Sequence, residues 1–530
     1  MSTDKSQEPH SQKSLIKASS LLSVGILSSR LLGFVRDVVL ANLLGTGVIA
    51  EAFFVAQRIP NLLRDLVGEG AANAAIVPVL VEYKKTKTKE EWKLFVNVLL
   101  AWGVIILGLL TVLGIILAPI IVRLMAPGFL SDPAKYHLTV DLTRIMFPYL
   151  ILIALTALQM GILYTLNSFG APAFSSCLLN VAMIISVWVA YFFSWASAYI
   201  LATGVLAGGI LQLIWQRRAL AHLGLVWSWP AKLRHEGIVK IGKLLVPRLW
   251  GSAVYQMNIF VDTLCASLAF IVGSGGIAAI YFANRLIQFP LGVFAYSLSS
   301  ASLPSLSSSA SDKDYVTFKE TLMFSLRNLL FILLPCAVYL YVLSPLLVRV
   351  IFQHGAFDQQ SADITTMALE FLSLGLPFFG ASRILVSGFY AMQDTQTSVR
   401  IATVCLLINI ILNILLMFPL KIGGIALASS VSGLANFTML FMMMKDRLGG
   451  TSGVLRKFFL RLTPSLIVMA AVIYLPLTYL SFHSKIGGLI LISLAGWISF
   501  IVSCHVTGVP EFKPVWNLLK RKFQAYRKQN

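Results

Sequence analysis

The sequence has few charged residues and very few acidic ones. Only 12% of its 530 residues are Asp, Glu, Lys or Arg, with 22 acidic and 42 basic side chains, whereas 57% are hydrophobic. Soluble globular proteins carry about 25% charged residues. This composition therefore excludes a soluble globular chain and is typical of a polytopic membrane protein.

Cysteine and histidine are scarce, and the motifs of several enzyme classes are missing. The five cysteines lie in apolar segments and no two are spaced as CxxC, so we expect free thiols rather than disulfides or a metal site. The chain contains no Walker A, HExxH or GxSxG motif. We therefore expect a protein that is not an enzyme, in which any transport is driven by an ion gradient or by the membrane potential.

Apolar stretches of about 20 residues, long enough to cross a bilayer, recur fourteen times along the chain. The predicted spans are 19–43, 48–80, 94–124, 139–167, 171–193, 197–219, 239–270, 274–308, 317–352, 363–392, 397–418, 423–445, 457–481 and 485–507. The second and eighth spans are long and contain Gly and Pro, which predicts bent or broken helices.

Lysine and arginine are concentrated in alternate loops. They follow spans 2, 6 and 12 and recur in the final KRKFQAYRKQN, whereas intervening loops such as LGTGV and VGSGG carry little positive charge. In a soluble protein the net charge of +20 would suggest a nucleic-acid partner. Here the positive-inside rule explains it, so we expect no nucleic acid and place both termini and the basic loops in the cytoplasm.

Short matches in the same order predict an internal duplication of six spans. The matched pairs are Pro119 with Pro345, Arg58 with Arg285, Cys177 with Cys405, and Asp141 and Pro148 with Glu370 and Pro377. Because six is an even number, both copies cross the membrane in the same direction. Transporters with parallel repeats relate such halves by an axis along the membrane normal.

These patterns predict an all-α integral membrane protein with about fourteen transmembrane helices: two six-helix pseudo-symmetric lobes around a central cavity, and two C-terminal helices. The predicted segments are a disordered cytoplasmic N-terminus (1–18), an N-lobe (19–219), a cytoplasmic loop (220–238), a C-lobe (239–445), a C-terminal helix pair (457–507) and a basic cytoplasmic tail (508–530). The helix pair either faces lipid passively or adds a surface for a hydrophobic ligand.

Charged residues within the spans are concentrated in the leading helices of each half. They are Arg30, Arg36 and Asp37 in span 1, Glu51, Arg58, Arg64, Asp65 and Glu69 in span 2, Arg248 and Asp262 in span 7, and Arg285 in span 8. Ionisable residues at membrane depth usually line a cavity or pair with one another. Several arginines in one cavity would suit a phosphate-rich anion, because guanidinium binds phosphate bidentately and stays charged. Arg64 is equally compatible with an interfacial ion pair to Asp65.

Three blocks of sequence resemble a known family. The blocks are SSRLLGFVRDVVLANLLGTG, EAFFVAQRIPNLLRDLVGEGAANAAIVPVL and ANRLIQFPLGVFAYSLSSASLPSLS. They resemble the MurJ (MviN) lipid II flippases of the multidrug/oligosaccharidyl-lipid/polysaccharide exporter superfamily. The resemblance extends over nearly the whole chain, including the two C-terminal helices.

The resemblance implies a substrate and a site. The substrate would be lipid II, the undecaprenyl-pyrophosphate-linked disaccharide pentapeptide used in peptidoglycan biosynthesis, moved from the inner to the outer leaflet of the bacterial cytoplasmic membrane by alternating access. Its implied binding residues are Arg30, Arg36, Asp37, Glu51, Arg58, Arg64 and Arg285. The helix pair 457–507 would form the groove for the lipid tail. Membrane lipid and cell-wall synthesis proteins are the other implied partners.

Some members of the family also have a sodium site. The matching positions here are Asp262, Asn409, Asn413 and Ser429, and oxygen ligands suit such a hard cation. An ordinary interhelical hydrogen-bond cluster is the alternative. Apart from this sodium ion, we expect no cofactor.

Two other functions are weighed against the flippase. An ion-coupled exporter of another lipid-linked oligosaccharide or of a small organic molecule is the first, although a site for organic cations should be acidic rather than rich in arginine. A scaffold without transport activity is the second, and the retained arginine set argues against it.

Overall fold

The structure, a computed structural model, contains helices and no strands in the residues that it describes. Those residues are 8–64, 71–193, 197–450, 452–479 and 484–512. The prediction of an all-α protein is confirmed. The chain groups into two compact units, Met1–Ala269 and Phe270–Asn530. The predicted division into lobes, groove and tails remains a prediction.

The first unit is a bundle in which α7 packs against α1 and α8, and α6 packs against α3, α4 and α8. Its helices are α1 (Glu8–Leu44), α2 (Val48–Arg64), α3 (Ala71–Thr86), α4 (Lys89–Met125), α5 (Pro133–Met146), α6 (Tyr149–Thr165), α7 (Gly170–Phe192), α8 (Ser197–His222) and α9 (Glu236–Ser267). A short 3-10 turn, Pro127–Ser131, connects α4 to α5.

The second unit is organised around α14, which packs against α11, α12, α13 and α15, while α16 and α17 pack on α13. After the single turn of α10 (Ala269–Val272), its helices are α11 (Gly276–Pro290), α12 (Tyr296–Ser311), α13 (Tyr315–Ile351), α14 (Gln359–Ala391), α15 (Thr395–Leu448), α16 (Ser452–Tyr479) and α17 (Lys485–Val506).

Ten helical segments of the described chain are long and apolar enough to cross a membrane. Nine of them match one predicted span each and α15 matches two, so eleven of the fourteen predicted spans are covered. The other three correspond to α1, to α2 with α3, and to α9, which carry most of the intramembrane charges. Fourteen spans therefore remains a prediction. Only 22% of the most apolar window of α4 or α17 is buried, as expected for helices that face lipid.

The duplication predicted from the sequence recurs in the secondary structure. Helices α4 and α13 each have 37 residues and start 226 residues apart (315 − 89). Their N-cap residues, Thr88 and Asp314, have the same separation, and each side chain accepts a hydrogen bond from the backbone N–H three residues later. Asn167 and Gln393, also 226 residues apart, both adopt a left-handed φ, of 57° and 59°. The two halves therefore share their turns and caps as well as their helices.

A helix interruption occurs in the eighth span, where Gly and Pro predicted it. A π-helical turn, Leu291–Ala295, follows Pro290 and separates α11 from α12. The interruption predicted in the second span falls between α2 and α3, on residues 65–70, which lie outside the described residues. Helix α15 is broken at Lys421 (φ 51°, ψ −128°), where the sequence predicts a boundary between spans 11 and 12.

The loop before α9 is fixed against α4 by side-chain hydrogen bonds. Asn97 Nδ2 donates to Ser228 Oγ at 3.0 Å. At the end of the loop, His235 Nδ1 accepts a hydrogen bond from the Gly237 N–H at 3.1 Å, and its ring stacks on Phe95 with centroids 4.9 Å apart. His235 therefore caps α9 in its neutral form.

We expect acidification to loosen this loop. Burial lowers the pKa of His235; Lys87 lowers it further, and Glu236 and Glu91 oppose the shift. Because the pKa of His235 is lower in the folded protein, the stability that its cap contributes is fully present above the unfolded-state pKa of about 6.5. This stability is lost as the pH falls through the folded-state pKa. Amide hydrogen exchange in residues 223–240 should therefore accelerate severalfold at pH 5, beyond the intrinsic pH effect.

The matched control for this prediction is His235→Asn. Asparagine is a good N-cap but does not titrate in this range, so its loop should respond less to acid than the wild-type loop. An equal response in both proteins would contradict a role for the histidine.

Candidate functional site

Arg30, Arg36 and Asp37 lie on α1, which packs along α7. The two helices approach closely at Gly25, where a Cβ atom would lie 2.5 Å from the carbonyl oxygen of Ala173. A larger residue at this position would force the helices apart. This approach brings α7 within reach of polar side chains further along α1.

The guanidinium of Arg36 is fixed by hydrogen bonds from three nitrogen atoms. Nε and Nη2 donate to Asp37 Oδ1 at 3.0 and 2.8 Å, and Nη1 donates to Asn180 Oδ1 at 3.0 Å. Asn180 Nδ2 donates in turn to the carbonyl oxygen of Ser29 at 2.9 Å. Arg36 and Asp37 are only 8% and 1% exposed, so their pairing offsets part of the cost of burying both charges. Asp37 therefore orients Arg36.

Arg30 differs from Arg36 in its hydrogen bonding. It is half-buried and forms no hydrogen bond or ion pair with the described part of the chain. The two arginines are six positions apart, which corresponds to about 600° of helix rotation and places them on different faces of α1. The structure therefore does not join Arg30 to the Arg36–Asp37 pair.

Glu51 lies on α2 and is buried in an ion pair with Lys135 of α5. The two side chains are 2% and 6% exposed. The Lys135 ammonium also lies 4.0 Å from the centroid of the Phe129 ring. This arrangement gives Glu51 a structural partner, so its carboxylate contributes to the joint between α2 and α5.

Arg58 and Arg64 follow Glu51 on α2. Arg58 Nη1 donates to Thr263 Oγ1 of α9 at 2.8 Å. Arg64 is half-buried and is the last residue of α2. Its predicted partner Asp65 lies outside the described residues, as do Glu69 and the side chain of Arg248.

Arg285 lies on α11, in the second unit. Its Nη2 donates to the Tyr281 hydroxyl oxygen at 2.7 Å, and its guanidinium lies 4.7 Å from the centroid of the same ring. The two residues are four apart and therefore share one face of the helix. Tyr281 thus restricts the conformation of the arginine.

Two of the residues predicted to bind sodium contact each other. Asn409 and Asn413 are buried on one face of α15, where Asn413 Nδ2 donates to Asn409 Oδ1 at 3.0 Å. Ser429 lies on the same helix beyond the break at Lys421, whereas Asp262 belongs to the first unit. The amide and hydroxyl oxygens have suitable chemistry for a hard cation, and the site remains a prediction.

A cavity of about 710 Å³ lies along one face of α16. Apart from the Arg456 and Thr463 side chains, its lining is apolar, and it includes Phe459, Leu460 and Ile467. Its residues follow a helical spacing of three or four. Helix α16 therefore presents an apolar groove, and a lipid-tail groove formed by α16 and α17 together remains a prediction.

Sequence reasoning missed the partners of the charged residues: Asn180, Lys135 and Thr263. Asn180 was detectable as part of the repeat, because it lies three positions after Cys177 and Asn409 lies four positions after the matching Cys405. Lys135 lies in a predicted external loop that is otherwise poor in positive charge. A single lysine in a loop does not indicate a buried ion pair. Thr263 is adjacent to Asp262 and carries no distinguishing pattern.

Comparison with known proteins places this chain among lipid II flippases. The family model described as "Lipid II flippase MurJ" matches residues 40–494. A protein of Buchnera aphidicola subsp. Schizaphis graminum named "Probable lipid II flippase MurJ" is 34% identical over 503 residues, which are 92% of this chain and 96% of the relative. A Burkholderia cenocepacia protein named "Lipid II flippase MurJ" is 34% identical, covering 87% and 90% of the two chains.

Solved structures agree with the sequence comparisons. The structure titled "Lipid II flippase MurJ, inward closed conformation" aligns with a TM-score of 0.78 and 28% identity, over 92% of this chain and 98% of the other. A multidrug resistance MATE family transporter of the MOP superfamily aligns at 0.66 with 13% identity, over 81% and 98% of the two chains, which shows a shared fold alone. The chain is therefore a multi-pass membrane protein that belongs to the lipid II flippase MurJ family.

Proposed function

We propose that this chain is a lipid II flippase. It moves the undecaprenyl-pyrophosphate-linked peptidoglycan precursor from the inner to the outer leaflet of the bacterial inner membrane, with both of its termini in the cytoplasm. The mechanism is alternating access, driven by the membrane potential or an ion gradient, with no covalent chemistry on the substrate.

The main support for this proposal is the environment of Arg30. A half-buried guanidinium on a membrane helix, with no acidic or hydrogen-bonding partner in the described part of the chain, favours an anionic ligand. Pyrophosphate suits it, because two guanidinium N–H groups can bind one phosphate in parallel. Arg36, Arg58, Arg64 and Arg285 provide the same chemistry on α1, α2 and α11.

The apolar groove on α16 supports a lipid-linked substrate in particular. A polyprenyl tail can remain in this groove, or in the bilayer beside it, while the charged headgroup crosses.

The test is functional replacement followed by binding. Expression of this chain should restore growth of bacteria depleted of their own flippase, and the purified protein should bind lipid II in preference to undecaprenyl monophosphate. Failure to restore growth despite normal amounts in the membrane, together with equal binding of the two lipids, would refute the proposal.

Arg285 offers a graded test of the arginine chemistry. Arg285→Ala should abolish lipid II transport. Tyr281→Phe removes one hydrogen bond to the arginine but keeps the ring beneath it, so transport should fall only about fivefold, the equivalent of about 1 kcal/mol. Transport can be measured as lipid II accessibility at the outer leaflet of cells with equal amounts of each variant. A larger loss in Tyr281→Phe than in Arg285→Ala would contradict this order.

A further inference from the structure

A second, smaller cavity lies in the first unit between α4, α6, α8 and the loop before α9. Its volume is about 120 Å³, enough for a lipid headgroup but not for acyl chains. Its inner wall includes Val96, Leu100 and Leu220, which belong to a buried apolar core. The cavity is therefore preformed by well-packed helices.

Two buried polar atoms at this cavity lack partners. Gln159 lines it and is 7% exposed, and no donor in the described part of the chain reaches its Oε1 atom. Trp227 lines it from the loop, and its buried Nε1 atom likewise has no acceptor among the described residues. Buried polar groups in proteins are normally hydrogen-bonded. The cavity therefore presents an unpartnered acceptor and an unpartnered donor to a ligand or to water, beside the Asn97 amide, which also lines it and donates to Ser228.

A positive charge completes the lining of the cavity. Arg217 lines the cavity and is exposed, and it lies five residues before the end of α8, about 8 Å along the axis. That end carries the basic loop that the positive-inside rule places on the cytoplasmic side. Arg217 therefore lies at the depth of lipid phosphates rather than in the hydrocarbon core.

The helix surface next to Arg217 is apolar and exposed. Ile214 and Ile210 precede it by three and seven residues, so all three side chains lie on one face of α8. The two isoleucines are 42% and 46% exposed, and they lie deeper in the membrane than Arg217. Acyl chains attached to a phosphate at Arg217 can therefore lie along this face.

We propose that this cavity binds the headgroup of one phosphatidylglycerol molecule from the cytoplasmic leaflet. The phosphate accepts from Arg217 and from the Trp227 N–H, and a glycerol hydroxyl donates to Gln159 Oε1. The site does not overlap the residues assigned to lipid II and is independent of the proposed flippase activity.

The chemistry favours phosphatidylglycerol over the other common phospholipids. Its single negative charge is balanced by Arg217, and its hydroxyl groups are neutral donors. Phosphatidylethanolamine would bury an ammonium group against one neutral oxygen, which is costly. Phosphatidylcholine has the phosphate but no donor for Gln159.

Native mass spectrometry of the full chain in detergent tests the proposal. Phosphatidylglycerol, phosphatidylethanolamine and phosphatidylcholine with identical acyl chains are titrated separately. We expect one phosphatidylglycerol to be retained at a concentration at least tenfold lower than either other lipid. Equal retention of the three lipids would overturn the proposal, and preference for phosphatidylethanolamine would overturn the assignment of the donor.

Four variants locate the binding. Arg217→Ala, Gln159→Leu and Trp227→Phe should each weaken phosphatidylglycerol retention about tenfold, whereas Arg218→Ala, an exposed neighbour outside the lining, should leave it unchanged. Gln159→Leu removes a buried unpaired acceptor at similar volume, so thermal stability should be maintained. Equal weakening by Arg217→Ala and Arg218→Ala would show diffuse electrostatic attraction. Unchanged binding in Gln159→Leu and Trp227→Phe would show that the cavity contains water only.

Discussion

Arg36→Ala should abolish lipid II translocation and also reduce the amount of folded protein, and the two effects should separate when Asp37→Asn is added. The single substitution removes the guanidinium that is paired with the buried Asp37 carboxylate, which is 1% exposed. Breaking a buried ion pair in this way costs about 3–5 kcal/mol. The double variant removes both charges and should regain most of this stability while transport remains lost.

The measurements are thermal unfolding in detergent, the amount of protein in the membrane, and rescue of flippase-depleted cells. Arg36→Lys refines the result, because lysine keeps the charge but cannot form the bidentate contact. One lost charge-assisted hydrogen bond is worth about 1.5–3 kcal/mol, so transport should fall roughly tenfold or more. Arg218→Ala, which changes an exposed arginine of α8, should transport normally.

The double variant also distinguishes two roles for Arg36. If Arg36→Ala with Asp37→Asn is both stable and active, the ion pair holds α1 in place and takes no part in transport. If it is stable and inactive, the guanidinium acts on the substrate. We expect a stable but inactive double variant. Asp37 alone would neutralise the charge of Arg36, so the additional hydrogen bond to Asn180 indicates that the position of the guanidinium matters.

Helix type and repeat order could be predicted because they depend on local patterns. Hydropathy over about 20 residues is sufficient to place a span, and the repeat is visible in Pro119 and Pro345. In α1, Arg30, Arg36 and Asp37 lower the hydropathy of an otherwise apolar helix, so charged residues make such a span harder to recognise from hydropathy alone.

The pairing of those charges with particular residues could not be predicted from sequence. Asn180 is 144 residues from Arg36 and Lys135 is 84 residues from Glu51. Such pairs depend on how two packed helices are shifted along their axes and rotated about them. The hydrophobic periodicity of the sequence determines neither the shift nor the rotation. The resemblance assigned Glu51 to substrate binding, a role that is still a prediction, while the structure adds an ion pair that the motif does not encode.

Glu51→Gln should destabilise the protein by about 3–5 kcal/mol, because it leaves the Lys135 ammonium buried without a counter-charge. Combining it with Lys135→Met should restore the stability, since exchange of a buried ion pair for uncharged groups of similar size is often neutral or favourable. We expect the double variant to transport lipid II within about twofold of wild type, because the net charge between α2 and α5 is unchanged. Thermal unfolding and rescue of flippase-depleted cells measure the two effects.

The charge-swapped variant Glu51→Lys with Lys135→Glu tests the geometry of this pair. It keeps both charges but places a carboxylate beside the Phe129 ring, where the ammonium now lies 4.0 Å from the centroid. Loss of a desolvated cation–π contact costs about 2 kcal/mol, so its stability should fall between those of the single variant and the wild type. A double variant with neutral residues that is stable but inactive would show that this pair takes part in transport. An active one assigns Glu51 to the joint between α2 and α5 and leaves substrate binding to the arginines.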